Sequence, residues 1–412
     1  MDNNKFKHRK SCATVKVSID GKAAVNQTVR LKQTGHEFLF GVGGFDAVEL
    51  MGGNPDGSPI SDGQKNFLKE RLDRIFSVMN YTTLPFYLGR YEPNEGSPDE
   101  ARTMAATGYF SAKGVKMKGH PLVWHTVCAD WLMNYSNKEI LEKLKRRIDR
   151  DVTRFKGTID MWDVINEVVI MPVFDKYDNA VTRVCKEIGQ VPMIREVFSA
   201  AREANPSAVL FLNDFDLSEK YVILIDGCLQ AGIPIDVIGL QSHQHQGYWG
   251  KEKTQEILER YSQFGLPLHF TENTIISGDL MPAHIVDLND WQVDSWPTTP
   301  EGEERQAREV IELYTTLFEH PLVEAVTTWC PVDGKWLKAP AGLLRADNSV
   351  KPAFTELEKM IKGEWRTETS LATNASGDAV FEGFRGSYEA ECNGKKACFT
   401  LSGDAGLIEV AI

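Results

Sequence analysis

Two glutamates close apolar runs in this chain. Glu167 ends Trp-Asp-Val-Ile-Asn-Glu, and Glu272 follows Leu-Pro-Leu-His-Phe-Thr. A pair of carboxyl groups at the ends of buried strands can divide the work of breaking a glycosidic bond: one protonates the leaving oxygen while the other acts on the anomeric carbon. Other run ends add groups of the right kind, namely His120, Trp124 and His125, Asn166, Asn213 and Asp214, Gln241 and His243, and Trp329. Amides and imidazoles can hold sugar hydroxyls, and flat indole rings stack on sugar faces. Taken singly, each has a plainer reading. A lone glutamate is more often a salt-bridge or surface residue, a lone histidine a satisfied core group, and Trp124, Trp329 or Trp336 plain core. Glu167 resists that reading because its apolar run carries the acid inward. His243-Gln244-His245 has the form of the metal-binding HxH of some barrel hydrolases, but that motif belongs on the first strand and this one ends the sixth. No metal and no cofactor is expected.

The elements that must position these groups can be read from pattern. Strand-like runs begin near Glu37, Asn80, Met117, Asp160, Ala208, Ile235, Leu266 and Ala325. Helical spacing of apolar residues lies between most of them, as in 137–155 and 303–320. Eight strand-then-helix repeats predict an α/β fold, a (β/α)8 TIM barrel, rather than a doubly wound sheet. Gly-Val-Gly-Gly after the first run lacks dinucleotide-loop spacing. In such a barrel the reactive side chains stand at the C-terminal strand ends. Strict alternation would put Asn166 and Glu167 on opposite faces, so both reach one mouth only if the strand ends or bulges there. The flanks differ in texture. Residues 13–19 and 26–32 read as two β segments joined at Asp20-Gly21, a hairpin turn, and the Thr-, Gly- and Ser-rich stretch after Lys362 reads as about four short strands. The expected organisation is 1–35 as an N-terminal β segment, 36–362 as the catalytic barrel and 363–412 as a C-terminal β module. The two ends are expected to pair into one small β-sandwich-like module, since neither buries a core alone.

Composition narrows the partners. The 412 residues are 42% hydrophobic with a net charge of −12, which argues against nucleic acid or an anionic membrane, both of which favour basic surfaces. Seven cysteines form no disulfide framework; Cys392 and Cys398 flank a turn, and two free thiols are favoured there over a hairpin disulfide. The first residues contain no apolar leader, so the protein is expected either to be cytoplasmic or to have lost a leader. No run approaches a membrane span.

The motifs GHPLVWH (119–125), WDVINE (162–167), FLNDFD (211–216), IGLQSH (238–243), FTEN (270–273) and the stretch from TTWCPVDGKW to GLLRADNSVKPAF (327–354) together resemble glycoside hydrolase family 10, the endo-β-1,4-xylanase family, across about residues 38–362. The resemblance implies a retaining hydrolase of β-1,4-xylosidic bonds acting on xylan or xylo-oligosaccharides. Glu167 would be the acid/base, Glu272 the nucleophile and His243 the nucleophile's partner. Asn166, Gln241 and His120 would bind the reacting sugar, Trp124, Trp329 and Trp336 would wall the pocket, and His125, Asp163 and Asn213 would stand behind as support. Three departures affect substrate preference. Leu84, Pro85 and Tyr87 occupy the region where the family has an Asn and a Lys that grip the second sugar, with Arg90 as a partial substitute. Asn273-Thr274 replaces Leu-Asp after the nucleophile. The loop from Ile275 to Pro300 is long and carries Trp291 and Trp296, expected to cover the leaving-group side. Two alternatives follow: a member that removes xylosyl or glucosyl units from small glycosides, and a sugar-binding barrel without catalysis.

Overall fold

The computed structural model describes residues 5–403 and 405–412; the first four residues of the 1–35 segment and Asp404 lie outside the described residues. Three strands come first: β1 (Lys10–Ile19), β2 (Lys22–Ala23) and β3 (Thr28–His36). Eight more follow: β4 (Leu39–Gly43), β5 (Tyr81–Pro85), β6 (Lys116–His120), β7 (Met161–Asn166), β8 (Val209–Asp214), β9 (Val237–Gln244), β10 (Leu268–Ile275) and β11 (Val323–Thr328). These eight pair in parallel in chain order, and β11 closes back on β4. Both faces of the barrel are covered, so β4 and β10 are buried at every position, and β7, β8 and β9 begin as apolar runs. The connecting helices turn one stripe to the strands. In the helix Asn137–Phe155 a Ser136/Glu139 capping box fixes the start, and Ile140, Leu144, Ile148, Val152 and Phe155 form the buried stripe. The chain is a (β/α)8 barrel with additional sheets built from its two ends.

Those ends interleave. After β12 (Glu368–Ala372), β13 (Asp378–Phe384), β14 (Gly386–Cys392), β15 (Lys395–Leu401) and β16 (Leu407–Ala411), one sheet runs β13-β1-β16, with β2 beside β1, and the other β12-β3-β14-β15. Val15, Val17, Val29, Leu31, Phe381, Tyr388, Ala390, Leu401 and Val410 fill the space between them. The Asp20-Gly21 turn exists, with both residues at positive φ, but it returns only the two residues of β2. β3 leaves for the other sheet, so the two N-terminal segments are not hairpin partners. The C-terminal stretch holds five strands where about four were expected. Cys392 and Cys398 stand opposite Lys395 and Glu389, and both are free thiols.

The module joins the barrel beneath its N-terminal face. Phe6, His36, Phe38, Phe318, Trp365 and Phe384 form one aromatic cluster, with Trp365 stacked on Phe318 at 4.2 Å. Arg9, buried beside it, donates to the carbonyls of Phe318 (3.0 Å), His320 (2.6 Å) and Val323 (2.6 Å). It thereby joins the last carbonyl of the helix Pro300–Phe318 to the turn that follows and to the first residue of β11. The opposite, C-terminal face of the barrel is left open as a mouth.

Candidate active site

Both glutamates reach the mouth through backbone irregularities. In β7 the register with β8 shifts between Asp163 and Ile165, inserting one extra residue. Past that bulge the faces exchange: Asp163 and Asn166, three apart, both bond into the mouth. Glu167 then takes a left-handed φ of 58°, which breaks alternation a second time and keeps its carboxyl on the same side as Asn166. β10 repeats the device, with register shifts against both neighbours around Glu272 and a φ of 57° there. A left-handed conformation costs a non-glycine residue about 1–3 kcal/mol, and such strain concentrates at functional positions. The facing problem posed by the sequence is solved twice in the same way.

A hydrogen-bond network connects the two acids. Glu167 Oε2 accepts from Trp124 Nε1 at 2.9 Å, and its Oε1 accepts from Gln241 Nε2 at 3.1 Å and Asn166 Nδ2 at 3.2 Å. Asn213 Nδ2 donates both to Asn166 Oδ1 and to Glu272 Oε1, each at 2.8 Å, while Thr271 Oγ1 donates to Asn213 Oδ1 at 2.7 Å. Gly239 makes room for this amide: a Cβ there would lie 2.3 Å from Asn213 Oδ1. On the other flank of Glu272, His243 Nε2 is 3.3 Å from Oε2 and His120 Nε2 is 4.0 Å from Oε1. His120 Nδ1 lies 2.7 Å from Asp163 Oδ2, which also forms a fully buried ion pair with Lys118 at 2.7 Å.

The two carboxyls are pushed apart electrostatically. Burial, then the charge of Glu272, then that of Asp214 raise Glu167 to about 8. Burial also works to raise Glu272, but the charge of His120 and the hydrogen bond of His243 outweigh it and hold this carboxyl below the usual glutamate value. At neutral pH the pair is one acid and one carboxylate. Asp214, raised to about 7 by burial, accepts from Val169 N and Asp216 N behind Glu167.

The remaining expected residues divide. Tyr87 stands in the mouth, its ring 5.5 Å from His120 and 5.6 Å from Trp124, and Arg90, exposed, lies over it at 5.8 Å. Trp329 packs on His120 at 5.2 Å, and Trp336 on His243 at 4.6 Å. Gln241, expected to bind the reacting sugar, gives its amide to Glu167 and Asn166, whereas Asn213, expected only behind, touches Glu272 directly. His125 is buried against Phe174 at 4.5 Å, and burial lowers it to about 4. His245 turns to Thr274 Oγ1 at 3.2 Å, away from His243's partner. Among the described residues no group of three or more His, Cys, Asp or Glu is arranged to hold a metal ion. Trp296 is buried, with Nε1 on Asp279 O at 2.7 Å, and Trp291 packs on it. The two rings pack in one apolar cluster with Trp329, Cys330 and Trp336, and Trp296 lies 6.1 Å from His245, so they dock this loop on the rim of the mouth. Sequence reasoning passed over Lys118 and Phe45. Lys118 precedes His120 by two on one strand face, a signal that alternation offers; Phe45, which packs on Trp329 at 5.4 Å and Tyr87 at 6.2 Å, gives no such signal.

Comparison with known proteins places this arrangement. The sequence profile of glycosyl hydrolase family 10 matches residues 88–360. An endo-1,4-beta-xylanase of Geobacillus stearothermophilus is 31% identical over 260 residues, 60% of this chain and 75% of that one. Among solved structures, a GH10 structure from Paenibacillus barcinonensis superposes with a TM-score of 0.62 at 23% identity, covering 78% of this chain and 94% of that chain. Xylanase 10B of Thermotoga petrophila RKU-1, solved with xylobiose, gives 0.62 at 19% identity, covering 80% and 95%. At these identities the structural likeness is one of fold.

Proposed function

This chain belongs to glycosyl hydrolase family 10, and we propose that it hydrolyses β-1,4-xylosidic bonds in xylan or xylo-oligosaccharides with retention of configuration. The observation that carries this reading is the split pair: Glu167 held protonated and Glu272 held ionised, joined by one network across one mouth. In the first step the Glu272 carboxylate attacks the anomeric carbon while Glu167 gives its proton to the departing oxygen. In the second, Glu167, now a carboxylate, takes a proton from water, and the hydroxide oxygen displaces Glu272 from that carbon. His243 and His120 keep Glu272 ionised, and Asn213 fixes its orientation. Asn166, Gln241 and His120 face the reacting sugar, Trp124, Trp329 and Trp336 wall it, and Asp163 and His125 stand behind. The catalytic unit spans 36–362, and the described residues of 1–35 with those of 363–412 form the β module. Direct attack by one carboxyl requires the two to stand about 5–5.5 Å apart.

The test is the configuration of the first product on xylo-oligosaccharides, followed by NMR, together with Glu167→Ala. Loss of acid/base help costs about 10²–10⁴-fold and falls mainly on poor leaving groups. Aryl glycosides should therefore keep their first step, and added azide should yield a β-glycosyl azide. An inverted product, or equal slowing of aryl and oligosaccharide substrates with no effect of azide, would contradict the assignment.

A further inference from the structure

The segments that continue the two carboxylate strands are tied to each other. Lys176 Nζ, beyond β7, lies 2.6 Å from Asp287 Oδ2 and 2.7 Å from Asp290 Oδ1, beyond β10. β8 and β9 stand between β7 and β10 in the barrel, so this contact crosses the rim of the mouth above them instead of joining neighbours. Each end is held in place by its own loop and by a neighbouring one. On the β7 side Phe174 packs against His125 at 4.5 Å and Tyr177 at 4.9 Å. On the β10 side Asp287 caps the short turn Leu288–Asp290 by accepting from Asn289 N. Gln246 meanwhile donates to the carbonyls of Pro282 (3.0 Å) and Ile285 (2.7 Å). The β7 segment also borders a cavity of about 220 Å³ lined by Val127, Cys128, Met133, Tyr177 and Asn179 among others. The segment adjoins the acid/base through packing: Phe174 lies on His125, whose ring is 6.1 Å from that of Trp124, the indole bonded to Glu167.

We propose that the Lys176–Asp287–Asp290 strap closes the leaving-group end of the mouth and favours short leaving groups, an aryl group or one or two sugars, over the continuing chain of a polymer. The inference rests on the xylosidic reading, in which Glu167 faces the leaving oxygen and its strand's loop borders that end. A polymer must lift the strap to lie through the rim, whereas a short substrate passes beneath it. Exposed ion pairs are individually weak and are screened by salt. The strap therefore sets a preference between substrates and does not bar one of them.

The experiment compares kcat/KM on soluble xylan and on 4-nitrophenyl β-xylobioside for the wild type, Lys176→Met, the double variant Asp287→Asn/Asp290→Asn, and Lys176→Arg. Lys176→Met and the double variant should each raise the xylan-to-aryl ratio by about two- to fivefold, the factor an exposed ion-pair network supports, with the aryl rate unchanged. Lys176→Arg should keep the wild-type ratio, and high sodium chloride should move the wild type toward Lys176→Met. The same ratio in all four proteins, with wild-type turnover intact, overturns the strap alone. No wild-type turnover of either substrate overturns the xylosidic reading and the strap with it.

Discussion

Replacing Glu272 by Gln removes a negative charge beside Glu167, so the pKa of Glu167 should fall from about 8. Burial, the largest cause of its rise, persists in that variant, and the value should stay above that of an ordinary glutamate. Titration of Glu167 by carboxyl NMR in Glu272→Gln checks this; an unmoved or raised value would mean that the two groups do not sense each other. The same pair fixes the pH profile of the wild type. Glu167 must be protonated to act, so kcat/KM should fall as pH rises through about 8. Glu272 must be ionised, so activity should also fall on the acid side, below the usual glutamate range. A third residue carries a prediction about substrate. On the proposed reading Tyr87 stands where the resemblance implies groups that hydrogen-bond the second sugar, and losing such contacts removes roughly 1–3 kcal/mol. Aryl xylobioside should therefore be preferred over aryl xyloside only weakly. A preference of about a thousandfold, near 4 kcal/mol, would show the second-sugar site to be intact.

At the scale of elements, the site depends on how closely β9 approaches β8. Gly239→Ala drives a methyl against Asn213, the amide that holds both Asn166 and Glu272. The expected outcome is a fall in kcat of tenfold or more, about 1.4 kcal/mol, with far-ultraviolet circular dichroism unchanged. Retained activity would show that Asn213 is dispensable. This dependence explains what could be read from sequence and what could not. Strands such as β7, β8 and β9 were legible because each begins as an apolar run and finishes in polar groups, and His120, Asn213 and Gln241 fall at or near strand ends. The bulges were not, since left-handed glutamates leave no mark in composition; only the conflict between alternation and the need for both Asn166 and Glu167 hinted at them. Trp291 and Trp296 were legible as part of a long loop, but not their packing with Trp329 and Trp336, because an indole that docks a loop and one that meets a substrate look alike in sequence. The Asp20-Gly21 turn was read correctly, but the partner of β3 was not. Its partners, β12 and β14, lie more than 300 residues away and leave no local signal.

The molecule as a whole is joined by the aromatic cluster under the barrel. Trp365 is 2% exposed and stacks on Phe318, at the end of a barrel helix. Trp365→Ala should destabilise the protein by about 3–5 kcal/mol. Barrel and module should still melt in one transition, since each lends the other part of its buried surface; two separated calorimetric transitions would refute that coupling. The interleaving of the ends has a further consequence, for the chain while it is being made. Both long partners of β1, the strands β13 and β16, are translated more than 350 residues after it. At about 5–20 residues per second, the intervening stretch takes roughly 20–70 s to translate. Throughout that interval β1 offers two unpaired edges to any neighbouring nascent chain, the kind of template that seeds aggregation. A transcript cut off after the barrel should therefore yield insoluble protein, and slowing the ribosome over the codons for 363–412 should lower the soluble yield without altering one residue of the site.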